Sequence, residues 1–190
     1  DRPPLNIVSY TARSQICAII EAMDDDEDVG VIVIRGVGGT FTSGGDVKKF
    51  PEIPFDRMSD LAWNIGAPER CTKPVIAVLE KYAFGVGFEL AMACDFRLST
   101  KDTLVALPEI NLGEIPGSGG SVRVVKIAGL SRAKDMIMLG RRITATQAKE
   151  WGLITETSQN SDELTILTEK YAADLNAKAP LALRALKRAL

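Results

Sequence analysis

The stretch that decides the fold runs from Lys73 to Gly120 and reads KPVIAVLEKYAFGVGFELAMACDFRLSTKDTLVALPEINLGEIPGSGG. It begins with a continuous apolar run, followed by a glycine-broken turn and an amphipathic segment that carries Glu89. A second apolar run leads to Glu109 and to a glycine-rich turn at 116–120. Two carboxyl groups thus stand beside chain reversals in apolar surroundings. This combination indicates acid/base chemistry on a small organic substrate.

Strands and helices alternate on both sides of this stretch. A β-branched run at 29–36 predicts a fully buried strand. A helix that starts at Ser9 or Thr11 and ends at Met23 precedes it. Further strands are predicted at 75–79, 95–99, 103–107 and 153–154, and further helices at 55–71, 88–93, 119–127, 131–139, 144–151, 162–178 and from 180. The alternation is typical of the α/β class.

The composition excludes several kinds of site. With 190 residues, 46% of them hydrophobic, the chain is expected to form one compact domain. A formal charge of −2 argues against a nucleic-acid partner, and no apolar run is long enough to span a bilayer. The absence of histidine excludes Ser-His-Asp and Cys-His catalysis and His-bearing zinc sites. The three cysteines match no metal or redox motif, so we expect buried thiols, a cytoplasmic location and no metal.

An ordered set of motifs surrounds these features. They are RPPLN at the start, FTSGGD at 41–46, KPVIAVLEKYAFGVGFELAMACD at 73–95, ALPEINLGEIPGSGG at 106–120 and, more weakly, GRRITATQAKEWGLI at 140–154. Together they closely resemble the enoyl-CoA hydratase/isomerase family, also called the crotonase superfamily. The resemblance implies a spiral of ββα units, with helices flanking two roughly perpendicular sheets. It also implies one acyl-CoA-binding catalytic domain over 1–190, with an incomplete N-terminal hairpin and incomplete C-terminal trimerisation helices, in a homotrimer or a dimer of trimers.

By resemblance, the backbone N–H groups of Gly45 and Val86 form an oxyanion hole for a thioester oxygen. The residues support this independently, because Gly45 lies in a flexible loop and Val86 precedes a helix, where N–H groups are unpaired. The family usually has three glycines where this chain has Gly85, Val86 and Gly87. Valine keeps the N–H but loses access to positive φ and adds a branched side chain. The change is either tolerated, narrows the acyl pocket or shifts the N–H donor.

Glu89 and Glu109 are the acid/base pair that the resemblance implies for hydratases. Adding water to a conjugated double bond needs one group to activate the water and another to deliver a proton. Each glutamate also has an ordinary alternative, because Glu89 suits the first turn of a helix and Glu109 suits a surface loop. The resemblance implies that Gly117 helps to position the water. Glu114 either faces solvent or adds polarity near the acyl group.

By resemblance, coenzyme A follows the 41–46 loop and contacts Ser43, Gly44 and Asp46. Coenzyme A is part of the substrate, and no other cofactor is expected. The basic segment at 184–188 is either an exposed helix face or a contact for the coenzyme A phosphates. The leading hypothesis is an enoyl-CoA hydratase. The alternatives are a family isomerase, a hydratase for a branched, cyclic or aromatic acyl-CoA, and a non-catalytic acyl-CoA-binding or moonlighting protein.

Overall fold

The computed structural model describes residues 2–52 and 54–190 of the chain. Asp1 and Ile53, which fall within the predicted domain, lie outside the described residues. The helices are α1 (Tyr10–Asp25), α2 (Met58–Ile65), α3 (Ala67–Arg70), α4 (Val86–Ala93), α5 (Gly120–Ala128), α6 (Leu130–Met138), α7 (Ala145–Glu150), α8 (Ser161–Asn176) and α9 (Pro180–Ala189). The strands are β1 (Ile32–Arg35), β2 (Val75–Leu79), β3 (Tyr82–Phe84), β4 (Phe96–Thr100), β5 (Leu104–Ala106), β6 (Ile143–Thr144) and β7 (Glu156–Ser158). Short 3-10 turns cover Val47–Glu52, Phe55–Arg57 and Glu109–Leu112.

The larger sheet has the strand order β1-β2-β4-β7, and all of its neighbouring strands are parallel. All five residues of β2 are buried, as expected for a central parallel strand covered on both faces. The prediction of a fully buried strand at 29–36 is wrong. β1 covers only four residues, and Val33 is 40% exposed. The cause is the position of β1 at the edge of the sheet. A β-branched run in the sequence does not distinguish an edge strand from a central strand.

The smaller sheet places the 41–46 loop. β3 and β5 are parallel, and β6 joins β5 in the antiparallel sense. Thr42 forms a parallel bridge with Ala83 of β3, and Val8 forms another with Gly45. The loop is therefore fixed between the N-terminal segment and the strand that leads directly into α4.

Helix α4 lies at the centre of the core. Every one of its residues is buried, including Glu89. A helix that is apolar around its whole circumference requires cover on all sides, and α2, α3, α5 and β3 supply it. Placing a carboxylate on such a helix removes that carboxylate from water.

Several helix ends follow the predicted signals. The Ser9 hydroxyl caps α1 by accepting the N–H of Ala12 at 3.2 Å, and Thr144 caps α7 by accepting the N–H of Gln147 at 3.2 Å. The predicted 55–71 helix is divided at Gly66 into α2 and α3.

The predicted strand at 153–154 is wrong. Its residues are buried without joining a described strand, and β7 begins at 156 instead.

The final helix is fastened through Lys187. The sequence left the segment of this residue, 184–188, as either an exposed helix face or a contact for the coenzyme A phosphates. The ammonium group of Lys187 donates to the main-chain oxygens of Pro68 at 2.8 Å and Lys73 at 2.7 Å. It also pairs with a carboxylate oxygen of Asp95 at 2.6 Å. The same oxygen accepts the N–H of Val75 at 2.7 Å. One buried cation thus joins α9 to the beginning of β2.

The three cysteine thiols are free and buried, as predicted. Within the described ranges, no helix is both long enough and apolar enough to cross a membrane.

Lys73 is a further buried cation whose removal is expected to destabilise the fold. Its ammonium group donates to the main-chain oxygens of Met23, at 2.7 Å, and of Asp26, at the C-terminal end of α1. Lys73→Met leaves these acceptors without a donor, so we expect a loss of about 2–4 kcal/mol in the free energy of unfolding, measured in urea. The exposed Lys48→Met control is expected to change it by less than about 0.5 kcal/mol. Equal stabilities of the two variants would contradict this role.

Candidate active site

A cavity of about 560 Å³ opens between the 43–47 loop, the beginning of α4 and the 108–118 segment. It brings together most of the residues predicted from the sequence. Those that line it are Ser43, Gly44, Gly45, Val86, Glu89, Glu109 and Gly117. Residues distant in the chain therefore share one concave surface.

Asp46 does not line this cavity. It lines a second cavity of about 820 Å³, formed in part by other residues of the same loop. Its carboxylate lies 3.8 Å from the guanidinium of Arg2, and its main-chain oxygen accepts the N–H of Lys49 at 2.9 Å. The coenzyme A contact assigned to Asp46 stays a prediction.

The backbone N–H groups of Gly45 and Val86 are both available as donors. Within residues 2–52 and 54–190, neither has a hydrogen-bond acceptor. Val86 is the first residue of α4, where N–H groups have no partner inside the helix. Gly45 is held through its carbonyl, which accepts the N–H of Val47 at 3.0 Å. The cavity thus has two main-chain donors at its wall.

The valine that replaces the family's glycine meets no backbone strain. The positive φ of this turn, 51°, belongs to Gly85. In the described part of the chain, the non-glycine residues with positive φ are Asn6 and Lys81, so Val86 is not among them. The Val86 side chain is buried and lines the cavity. The positive φ that favours glycine therefore lies at position 85, and the effect of Val86 on the pocket or on the position of its N–H stays a prediction.

The carboxylate of Glu89 is bound by the turn before α5. One of its oxygens accepts the N–H groups of Ser118 at 2.8 Å and Gly120 at 2.9 Å. Burial raises the pKa of Glu89, while these N–H groups and the charge of Arg13 act in the opposite direction. A Cβ at Gly120 would lie 2.9 Å from the same oxygen, so this position requires glycine. Glu89 therefore does more than complement the dipole of its own helix.

Glu109 begins the 3-10 turn Glu109–Leu112 and is only half-buried, yet one of its carboxyl oxygens is fully enclosed. Within the described residues, that oxygen, Oε2, has no hydrogen-bond partner. Burial raises the pKa of Glu109 to about 7, and the charges of Glu89 and Glu114 contribute in the same direction. The other oxygen lies 3.1 Å from the position that a Cβ at Gly85 would occupy. Glu109 faces the beginning of α4 and is not a surface loop residue.

Glu114 is a third acidic residue of the cavity. It is half-buried, and its N–H donates to the main-chain oxygen of Glu109 at 3.1 Å. Of the two alternatives left open by the sequence, the structure favours added polarity at the cavity wall.

Sequence reasoning missed Arg13. This residue is 2% exposed, lines the cavity and donates from Nη1 to the Ser118 hydroxyl at 3.0 Å. Burial lowers the pKa of Arg13, and the charges of Glu89, Glu109 and Glu114 oppose that shift. The sequence did contain a signal for Arg13. This residue shares the buried face of α1 with Cys17 and Ile20, and a charged side chain is unexpected on an apolar helix face.

The geometry combines two functions in one enclosed space. Main-chain donors such as those of Gly45 and Val86 can stabilise a developing oxyanion. Two carboxyl groups in one cavity can act as proton acceptor and proton donor, and the Glu109 pKa of about 7 allows that group to exchange a proton near neutral pH. Across the described ranges, no group of three or more His, Cys, Asp or Glu residues is placed to hold a metal ion.

Comparison with known proteins identifies the family of the chain. The sequence model of the enoyl-CoA hydratase/isomerase family matches residues 1–190. The chain belongs to this family. An enoyl-CoA isomerase/hydratase of Mycosarcoma maydis is 36% identical over 180 residues, which cover 92% of this chain and 65% of that protein. A probable enoyl-CoA hydratase of Bacillus subtilis is 32% identical over 189 residues, which cover 97% of this chain and 73% of that protein.

Solved structures of the family show the same fold. An enoyl-CoA hydratase subunit of Geobacillus kaustophilus superposes with a TM-score of 0.91 at 33% identity, covering 99% of this chain and 74% of that one. DspI of Pseudomonas aeruginosa superposes with a TM-score of 0.90 at 29% identity, and the match covers 98% of this chain and 72% of that one. The α/β architecture of the crotonase superfamily is therefore confirmed. The chain spans about two thirds to three quarters of the length of these relatives.

The raised pKa of Glu109 is expected to make stability depend on pH. A carboxyl group whose pKa is about 7 in the folded protein and lower in the unfolded chain binds more protons when folded, so stability falls as pH rises from about 4.5 through 7. Glu109→Gln removes this titration. We expect its melting temperature to exceed that of the wild type by about 2–4 °C at pH 8 and to match it at pH 5.

The matched control for this measurement is Glu169→Gln, which changes an exposed glutamate of α8. Its melting temperature is expected to differ from that of the wild type by the same small amount at both pH values. If the difference in melting temperature between Glu109→Gln and the wild type also does not change with pH, the raised pKa of Glu109 is contradicted.

Proposed function

We propose that this protein adds water to a 2-enoyl-CoA thioester, or removes it in the reverse direction. An acyl-CoA substrate follows from the family. The observation that carries the finer proposal is the presence of Glu89 and Glu109 in one cavity with the free N–H groups of Gly45 and Val86. Hydration requires an acid, a base and stabilisation of an enolate, and these four residues supply all three.

The thioester oxygen binds to the two main-chain donors. Negative charge develops on that oxygen as the reaction proceeds, and loss of one such donor typically costs about 3 kcal/mol of transition-state stabilisation. Coenzyme A follows the loop with Ser43, Gly44 and Asp46. The N–H of Ser43 already donates to Leu5 at 2.9 Å, so its contact with coenzyme A comes from its carbonyl or hydroxyl group.

In this mechanism, Glu89 is the base and Glu109 is the acid. Glu89 takes a proton from water, the oxygen forms a bond to C3, and the π electrons of the double bond move onto the thioester as an enolate. Glu109 then donates its proton to C2 as the enolate collapses. The N–H bonds from Ser118 and Gly120 favour an ionised Glu89, whereas the enclosed, unpartnered oxygen of Glu109 favours its protonated form. Gly117 helps to position the water.

Substitution of either glutamate is expected to remove most of the activity. Glu89→Gln cannot accept the proton from water, and Glu109→Gln cannot deliver one to C2. We expect each variant to lower kcat for crotonyl-CoA by on the order of 10²–10⁴, measured from the loss of conjugated-enoyl absorbance. Glu169→Gln serves as the control and keeps wild-type activity. If both active-site variants retain full activity, the two-glutamate mechanism is wrong.

We expect the pH dependence of activity to reflect the combined protonation state of Glu89 and Glu109. The reactive state holds one proton on the two glutamates, and this holds for hydration and dehydration alike. We therefore expect kcat/KM to fall above pH about 7, where the proton of Glu109 is lost, with the same profile in both directions. A flat profile between about pH 6 and 9 would argue against a shared proton.

Absence of crotonyl-CoA hydration in the wild type, together with tight binding of CoA thioesters, would favour a specialised acyl group. Isomerisation of the double bond and non-catalytic acyl-CoA binding would then be the other functions to test. Assembly as a homotrimer or a dimer of trimers stays a prediction from the resemblance.

A further inference from the structure

The guanidinium of Arg13 is a buried cation on which the nearby acidic groups act only from a distance. Within the described residues, no carboxylate oxygen lies within 4.0 Å of it, although three acidic residues line the same cavity. Its Nε is fully enclosed and has no acceptor there. An unpaired, desolvated charge is among the costliest arrangements in a protein interior.

The other buried cations of the chain are satisfied. Arg97 donates from Nε to the main-chain oxygen of Leu153 at 2.8 Å, and from Nη1 to that of Cys94 at 2.6 Å. Lys73 donates to two carbonyl groups at the end of α1. Arg13 differs from both in lining a cavity. A molecule in the cavity can supply a partner for the outer nitrogens of the guanidinium, although not for the enclosed Nε.

Arg13 also lies close to the proposed reacting atoms. Its Nη1 donates to the hydroxyl of Ser118, whose N–H donates to Glu89. Its Nη2 lies 3.2 Å from the position that a Cβ at Gly45 would take. The guanidinium thus stands between the proposed oxyanion loop and the turn that holds the proposed base. A polar group that the acyl chain carries close to C3 would therefore be its expected partner.

We propose that Arg13 binds a carboxylate carried by the acyl group, so that the substrates are CoA monothioesters of short unsaturated dicarboxylic acids. This inference rests on the proposed function and names its substrate class. A guanidinium presents paired N–H donors that match the two oxygens of a carboxylate, and such charge-assisted bonds are strong. The ring of Phe50, 5.6 Å from the guanidinium carbon, supports the guanidinium through a cation–π contact.

The acidic residues of the cavity do not prevent this binding. Glu109, with its pKa near 7, carries only part of a negative charge at neutral pH. Glu114 is half-exposed, so water screens its charge. Glu89 is compensated by two N–H donors. Arg13 Nη2 has no acceptor among the described residues and, unlike Nε, is not fully enclosed, so it can meet an incoming anion.

The test compares two substrates of the same shape on the full chain. One is 4-carboxybut-2-enoyl-CoA, and the other is 5-methylhex-2-enoyl-CoA, in which an isopropyl group replaces the carboxylate. We expect the wild type to hydrate the carboxylated substrate with a kcat/KM about tenfold higher or more. Arg13→Met should lower the ratio of kcat/KM for the carboxylated substrate to kcat/KM for the isopropyl substrate by about tenfold or more, whatever its effect on both values together. Arg13→Lys keeps the charge and should retain part of the preference.

Arg132→Met, which changes an exposed arginine of α6, is the control and should leave both values unchanged. Equal rates of the wild type on both substrates would overturn the proposal. Equal losses for both substrates in Arg13→Met would also overturn it, because Arg13 would then act only through Ser118 and Glu89.

Binding of saturated analogues separates this inference from the proposed reaction. Calorimetry with glutaryl-CoA and 5-methylhexanoyl-CoA requires no turnover. We expect the wild type to bind glutaryl-CoA more tightly and Arg13→Met to lose that difference. If Arg13→Met does not fold, the wild type and Arg13→Lys decide the question, and weaker or equal binding of glutaryl-CoA overturns the proposal. Failure to hydrate any enoyl-CoA, with the binding preference intact, would instead reject the hydratase reaction alone.

Discussion

The carboxylate of Glu89 and the two N–H groups that it accepts connect the two halves of the site. Glu89 belongs to α4, whose residues are all buried, whereas Ser118 belongs to the turn before α5 and Gly120 is the first residue of α5. Without these donors, a carboxylate on that helix would be buried and uncompensated. The same contact fixes the 116–120 turn against the helix that supplies the N–H of Val86. The shape of the cavity therefore depends on this interaction.

The buried and half-buried charged groups of the described residues are of two kinds, those whose enclosed polar atoms all have hydrogen-bond partners and those that keep one enclosed polar atom without a partner. Lys73, Arg97 and Lys187 use main-chain carbonyls as partners, and in this way they stabilise the ends of helices and strands. Glu109 and Arg13 each keep an enclosed polar atom without a partner among the described residues, and both residues line the cavity. Unsatisfied polar atoms at one location are costly to the fold and are typical of places where a ligand completes the bonding.

The ordered motifs predicted the α/β class and most of the residues that meet at the cavity. They could not predict that β1 is an edge strand, because strand order depends on pairing between distant segments. The role of Lys187 was also hidden, since its partners Pro68 and Asp95 are separated from it by roughly half the chain. Arg13 could have been found from its place on the apolar face of α1. What it faces, however, depends on the turn at Ser118, which no local pattern reveals.

The close approach of Gly120 to Glu89 has an evolutionary consequence. Any side chain at position 120 collides with the carboxylate, so the two positions are not free to vary independently. A lineage that shortens residue 89 releases the constraint on residue 120, whereas one that keeps the glutamate must keep the glycine. Covariation between these two positions among relatives would therefore record which descendants of this scaffold still hold a carboxylate at the centre of α4.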